Sequence, residues 1–100
     1  MQNSTVVIDH LRKNQQFTVS DGENKTFVIV LTKEGEQSGD VKIIIKGEKA
    51  NVQILGIILG FGKQKINLYT LQDHLRPESK SDLLIKSVMF DEAKLYYQGL

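Results

Sequence analysis

Several short stretches bring together residue types that catalysis uses, and each has a plainer reading. Gly60-Phe-Gly-Lys63 offers the glycines and lysine of a phosphate loop. The step from Gly56 to Gly62 is one residue too long for that motif, and Gln64 stands where a serine or threonine would ligate magnesium. Lys65 occupies the third glycine position of a dinucleotide fingerprint, and no βαβ pattern surrounds it. A turn between strands accounts for the segment. Asp9-His10 and Asp73-His74 suggest acid–base pairs, but neighbours on a regular strand point to opposite faces and cannot form a dyad. His74 precedes Leu75-Arg76-Pro77, the only proline and the mark of a bend. Two distant histidines and no cysteine supply too few donors for a metal site. No nucleophile and base are expected to fall together, so the expectation is a chain that is not an enzyme and binds no cofactor by itself.

The remaining chemistry is equally sparse. Zero cysteines exclude disulfides, thiolate catalysis and thiolate-held clusters on this chain, and suit a reducing compartment. Asn3-Ser-Thr5 and Asn24-Lys-Thr26 match the glycosylation pattern, which is common by chance, and no secretory leader is seen at the start. The reading is therefore cytoplasmic, or an excised piece. The formal charge of +1, from 13 basic and 12 acidic residues spread along the chain, provides no field to gather nucleic acid or anionic lipid. Lys63 and Lys65 read as strand-edge gatekeepers, since an RNA patch wants interleaved aromatics and only Tyr69 lies nearby.

What must position these residues is a series of strands. At 100 residues, 40% hydrophobic and 25% charged, the chain fits one globular domain over residues 1–100. Apolar residues alternate with period two in eight runs: Val6 and Ile8; Phe17 and Val19; Phe27, Ile29 and Leu31; Val41, Ile43 and Ile45; Val52, Ile54 and Ile58; Ile66 and Leu68; Leu83 and Ile85; Leu95 and Tyr97. Asp21-Gly22, Gly35-Glu-Gln-Ser-Gly39 and Gly47-Glu48 read as turns between them. This pattern means an all-β sandwich, barrel or solenoid. An echo favours the solenoid: Ala50 to Gly56 shares its skeleton with Ala93 to Gly99, and each follows an Ile-Lys pair, as two coils roughly forty residues apart would. The alternative is an independent β-sandwich binding a small ligand or peptide.

The most apolar segment, Ile54 to Phe61, falls well short of the about 20 residues that span a membrane. As a helix it would carry two interior glycines at roughly 1 kcal/mol each. On a strand, Val52, Ile54 and Ile58 share one face with Gly56 and Gly60, while Leu55, Ile57, Leu59 and Phe61 share the other. Both faces are apolar, so one is core and the other needs cover. Leu55, Ile57 and Leu59 are read either as a docking surface for another domain or subunit, or as covered by a loop of the same chain.

From about Asn51 to Leu100 the sequence resembles the SufB/SufD family of iron–sulfur cluster assembly scaffolds. The resemblance is carried by Ala50 to Gly60, Ile66-Asn-Leu-Tyr-Thr70, Asp73-His74, Pro77, Ser79 to Lys86, and Ala93 to Leu100. It implies a right-handed parallel β-helix and a non-catalytic scaffold role, with pairing to a SufB/SufD-type partner or to itself as a homodimer. A SufC-type ATPase belongs to the parent system, where it binds a helical region, and the iron–sulfur cluster belongs to the parent assembly. The cysteine and histidine positions tied to the cluster lie beyond Leu100 in the family pattern, so no ligand or catalytic role is carried to any residue here. The end at Gly99-Leu100 is read as truncation of a longer scaffold, or as a small relative that keeps the coil stack.

Overall fold

The computed structural model describes residues 3–100. Eight strands follow in order: β1 (Asn3–Ile8), β2 (Gln15–Val19), β3 (Asn24–Leu31), β4 (Gln37–Ile45), β5 (Asn51–Gly60), β6 (Lys65–His74), β7 (Lys80–Met89) and β8 (Lys94–Gly99). They alternate between two sheets. Sheet A has the order β1-β3-β5-β7 and sheet B the order β2-β4-β6-β8. Every pairing is parallel. Each coil thus contributes one strand to each sheet, and successive coils stack in a parallel β-helix. A sandwich would pair its strands mostly antiparallel, so that alternative is excluded.

The inward positions are those that the alternation marks. Phe27, Ile29, Val41, Ile43, Ile45, Ile54, Ile58 and Ile66 are buried between the sheets, with Val19, Val52 and Leu68. β-branched residues dominate because they suit a pleated surface whose inner side is fully packed. Phe17 of β2 and Phe27 of β3 meet at 5.1 Å between ring centroids and join the two sheets. In β5 the inward positions include Gly56 and Gly60. An added Cβ at Gly60 would lie 2.6 Å from Met89 Sδ, so the missing side chain leaves the notch that Met89 of the next coil fills.

Coil length drifts along the stack. Asn24 lies 21 residues after Asn3, Asn51 lies 27 after Asn24, and Asp91 lies 29 after Gly62. The echo at roughly forty residues is therefore not a coil period. Ala50 leads into β5 of sheet A, whereas Ala93 leads into β8 of sheet B. The likeness joins two turns that serve the same local purpose on opposite sheets. The true coil partners are Gly60 with Met89 and Lys65 with Lys94.

The turns are tied to one another across coils. Gly47 packs so closely on its neighbour that an added Cβ would fall 2.2 Å from the Ser20 backbone, while Gly22 N–H donates to Glu48 O at 3.0 Å. Gly22, Lys49 and Glu78 all take positive φ, each two residues before the strand it introduces. Gln64, at the position that a phosphate loop would give to a hydroxyl, is nearly buried. Its Nε2 donates to Lys33 O at 2.9 Å and to Gly35 O at 2.6 Å, and its Oε1 accepts from Phe61 N–H at 3.0 Å. Gly60-Phe-Gly-Lys63 is thus a turn, clamped to the loop of the preceding coil. The predicted turn from Gly35 to Gly39 is shorter, since β4 begins at Gln37.

Candidate functional site

The outward side of sheet A is the feature that stands apart. Parallel register aligns its outward residues in rows that cross the strands. Asn3, Asn24 and Asn51 form an amide ladder, with Asn24 Nδ2 donating to Asn3 Oδ1 at 3.0 Å and Asn51 Nδ2 to Asn24 Oδ1 at 2.9 Å. Both asparagines of the glycosylation-like triplets are engaged in it. The next row is Thr5, Thr26, Gln53 and Asp82. Beyond it the face becomes apolar: Val7, Val28, Leu55 and Leu84 align, then Val30, Ile57 and Lys86, then Leu59 and Val88. Val7 is 64% exposed, Leu84 54%, Ile57 50% and Leu55 39%, while Leu59 is half-buried. Among the described residues no loop lies over Leu55 and Ile57, which stand exposed. The three residues singled out in the sequence are the centre of a larger slab whose flanks, Val7, Val28, Leu84 and Val88, become visible only when the strands are placed in register.

Beside the slab, at the turns after β5 and β7, the rings of Phe61 and Phe90 stack at 5.3 Å and 6°. Both are exposed. Leu83 and Tyr97, on the inward side of the last coil, are also partly exposed because β7 and β8 are edge strands. Tyr97 OH shares a 2.7 Å hydrogen bond with Oγ1 of buried Thr70.

The outward side of sheet B is polar. Its rows include Gln16, Lys42 and Leu71, then Asp40, Tyr69 and Gln98, then Ser38, Asn67 and Tyr96. A trough of about 290 Å³ runs between the last two rows.

One cluster escaped the sequence reading. His74 Nδ1 lies 2.8 Å from Ser79 Oγ and Nε2 lies 2.8 Å from Ser81 Oγ, and Ser79 Oγ donates to Arg76 O at 3.2 Å. The expectation that no nucleophile and base meet is corrected. The turn through Pro77 folds the start of β7 back on the end of β6, a contact that strand alternation does not display. A triad orients its histidine by hydrogen-bonding one ring nitrogen to a carboxylate and frees the other to activate one hydroxyl. Here each nitrogen holds a hydroxyl and the ring is exposed, which makes the cluster a staple for the bend. Asp73 and His74 make no dyad, and His10 lies just past the end of β1.

Glu23 has its carboxyl held below the ordinary range, first by the Ser20 backbone N–H and then by Lys25. Its Oε1 accepts from Ser20 N–H at 2.7 Å and its Oε2 lies 3.7 Å from Lys25 Nζ. Among the described residues no helix is long and apolar enough to cross a membrane.

Fold and surface together define a parallel β-helix with one apolar flank and one polar flank. Residues 2–100 match the family model described as SUF system FeS cluster assembly, SufBD core domain, and the chain belongs to that family. The match extends the likeness from the second half of the chain, where the sequence showed it, to nearly all of it. No curated protein and no solved structure matches the chain.

Proposed function

We propose that the chain is a non-catalytic scaffold component of iron–sulfur cluster assembly, acting in the cytoplasm as part of a longer SufB/SufD-type scaffold. It supplies a stiff coil stack and a surface for pairing with a SufB/SufD-type partner or a second copy. The SufC-type ATPase and the cluster belong to other parts of the assembly, and this chain binds no cofactor by itself. The observation that carries the reading is the exposed apolar slab centred on Leu55, Ile57 and Leu59 on a chain of the SufBD core family. Contiguous apolar surface of this kind marks protein interaction sites.

The test is reconstitution with a SufB/SufD-type partner and a SufC-type ATPase. The chain is expected to co-elute with the partner, and to carry no iron or sulfide when purified alone. Elution apart from the partner, or iron and sulfide on the isolated chain, would overturn the reading.

A further inference from the structure

We infer that the hollow between the turn after β3 and the turn after β5 is a site for a guanidinium group, an arginine side chain presented by a partner protein. It lies at the corner where the coils pass from sheet A to sheet B, apart from the pairing surface on sheet A. The hollow measures about 400 Å³ and is lined by Glu34, Gly35, Glu36, Phe61, Gly62 and Gln64. One face of the Phe61 ring is covered by Phe90, at 5.3 Å and 6°, so the opposite face is the one left for a ligand. The two rings are 41% and 47% exposed and stand outside the core.

Hydrogen bonds between coils hold the walls in place. Gln64 Nε2 donates to Lys33 O and Gly35 O, and its Oε1 accepts from Phe61 N–H. One side chain therefore ties the glutamate loop to the phenylalanine turn. From the other side, Asp91 Oδ2 accepts from Gly62 N–H at 3.2 Å and Glu92 N–H donates to Gly62 O at 2.9 Å, which fixes the turn that carries Phe90. An added Cβ at Gly35 or Gly62 would meet nothing within 4 Å, so the mouth is open to solvent. A site assembled before its ligand arrives loses little in ordering.

Charge selects the occupant. Glu34 and Glu36 are the charged groups of the lining, and no cation is among its residues. Lys33 and Lys63 lie on the same turns, yet among the described residues neither glutamate joins an ion pair. A cation above a ring face is attracted by the ring quadrupole. A guanidinium is planar, stacks on aromatic faces and presents a fork of donors to carboxylates, whereas an ammonium is a compact, strongly hydrated point charge. Phe61 supplies the face, and Glu34 and Glu36 the acceptors. Two carboxylates are too few for a metal ion, and no group of three or more metal-ligating side chains occurs among the described residues. Because the hollow is open, a single side chain binds weakly and less well in salt.

NMR titration of the full chain with N-acetyl-arginine amide tests this, with N-acetyl-citrulline amide as the neutral counterpart of similar shape and with N-acetyl-lysine amide and tetramethylammonium as other cations. Arginine amide is expected to give saturable shifts at Gly35, Phe61, Gly62 and the Gln64 side-chain amide, with a dissociation constant on the order of 10 mM. Citrulline amide is expected to give none, and the other two cations to bind at least about threefold more weakly. Phe61→Leu, and the paired change Glu34→Gln with Glu36→Gln, are each expected to weaken arginine binding at least about threefold. The glutamate pair removes charge without altering the Phe61 turn, and an unchanged amide spectrum away from the corner separates a lost contact from a lost fold. Shifts that do not saturate, shifts that citrulline amide reproduces, or binding that survives both variants overturn the inference. Tighter binding of tetramethylammonium than of arginine amide would assign the hollow to a quaternary ammonium ligand and refute the arginine.

Discussion

The outer faces of sheets A and B are built on the same coils, share one core and follow the same register, yet they differ in chemistry. Across the third coil, sheet A shows Leu55, Ile57 and Leu59 outward, while sheet B shows Lys65, Asn67 and Tyr69. Inside, the two strands are alike: Ile54 and Ile58 face Ile66 and Leu68 across one apolar layer. The inner alternation is what makes a coil, and either outward pattern is compatible with it. Stacking therefore does not require the apolar face of sheet A. Its outward residues bear on what the coil stack presents to its surroundings, and its inward residues on whether the stack forms.

The largest expected effect breaks both faces together. Phe27 is fully buried and spans from β3 to Phe17 of β2. Phe27→Ala is expected to cost about 3–5 kcal/mol, a large part of the stability of a domain this size. Chemical denaturation would check it, and a loss below about 1 kcal/mol would mean that the two sheets do not depend on a shared core.

A smaller change sharpens the contrast at the edge coil. The sheet B half of that coil is tied by the Thr70–Tyr97 hydrogen bond, whereas the sheet A half is seated by Ile85 and Met89 against the Gly56 and Gly60 notches. Tyr97→Phe is expected to cost about 1 kcal/mol and to speed amide exchange in β8 more than in β7. Equal acceleration in both strands would show that the hydrogen bond serves the whole coil.

The turns that join the sheets invite a change in the opposite direction. Lys49 holds φ at 56°, a left-handed conformation that costs an L residue about 1–2 kcal/mol. Glycine takes it without that penalty but gives up entropy when ordered. Lys49→Gly is expected to stabilise by about 0.5–1 kcal/mol, seen as a melting temperature a few degrees higher. A lower melting point would mean that the Lys49 side chain contributes more than its backbone costs.

The smallest effect is one of pH. The Glu23 carboxyl is held below its ordinary range in the folded state, so it contributes stability that is present above that range and is lost as pH falls through the folded value. Its exposure keeps the contribution small. Glu23→Gln is expected to flatten the acid limb of the stability curve slightly and to leave it unchanged near neutrality.

Much of this architecture was legible in the sequence, and for one reason. A strand that buries one face must alternate, so Phe27, Ile29 and Leu31, or Val41, Ile43 and Ile45, declare both the strand and its inward side. The same alternation sets Gly56 and Gly60 on the face of Val52, Ile54 and Ile58, which the structure buries. Pairing was harder to read, because coil length drifts and a local likeness between Ala50 and Ala93 imitated a repeat. Contacts made across turns left no periodic trace. The Gln64 clamp and the His74 staple join residues whose spacing follows no strand rule. Leu55, Ile57 and Leu59 were visible as an apolar face, but the slab was not, since its breadth comes from Val7, Val28, Leu84 and Val88 on other strands.

The outer face of sheet A, and not that of sheet B, is where partners are expected to meet. Matched surface substitutions on the third coil test it most directly: Ile57→Lys on sheet A and Asn67→Lys on sheet B, compared by sedimentation velocity at high concentration and by thermal melting. Both are expected to melt within a few degrees of the unmodified chain, with Ile57→Lys sedimenting as a monomer and Asn67→Lys associating as the unmodified chain does. Association that survives Ile57→Lys, or that Asn67→Lys abolishes, would contradict it.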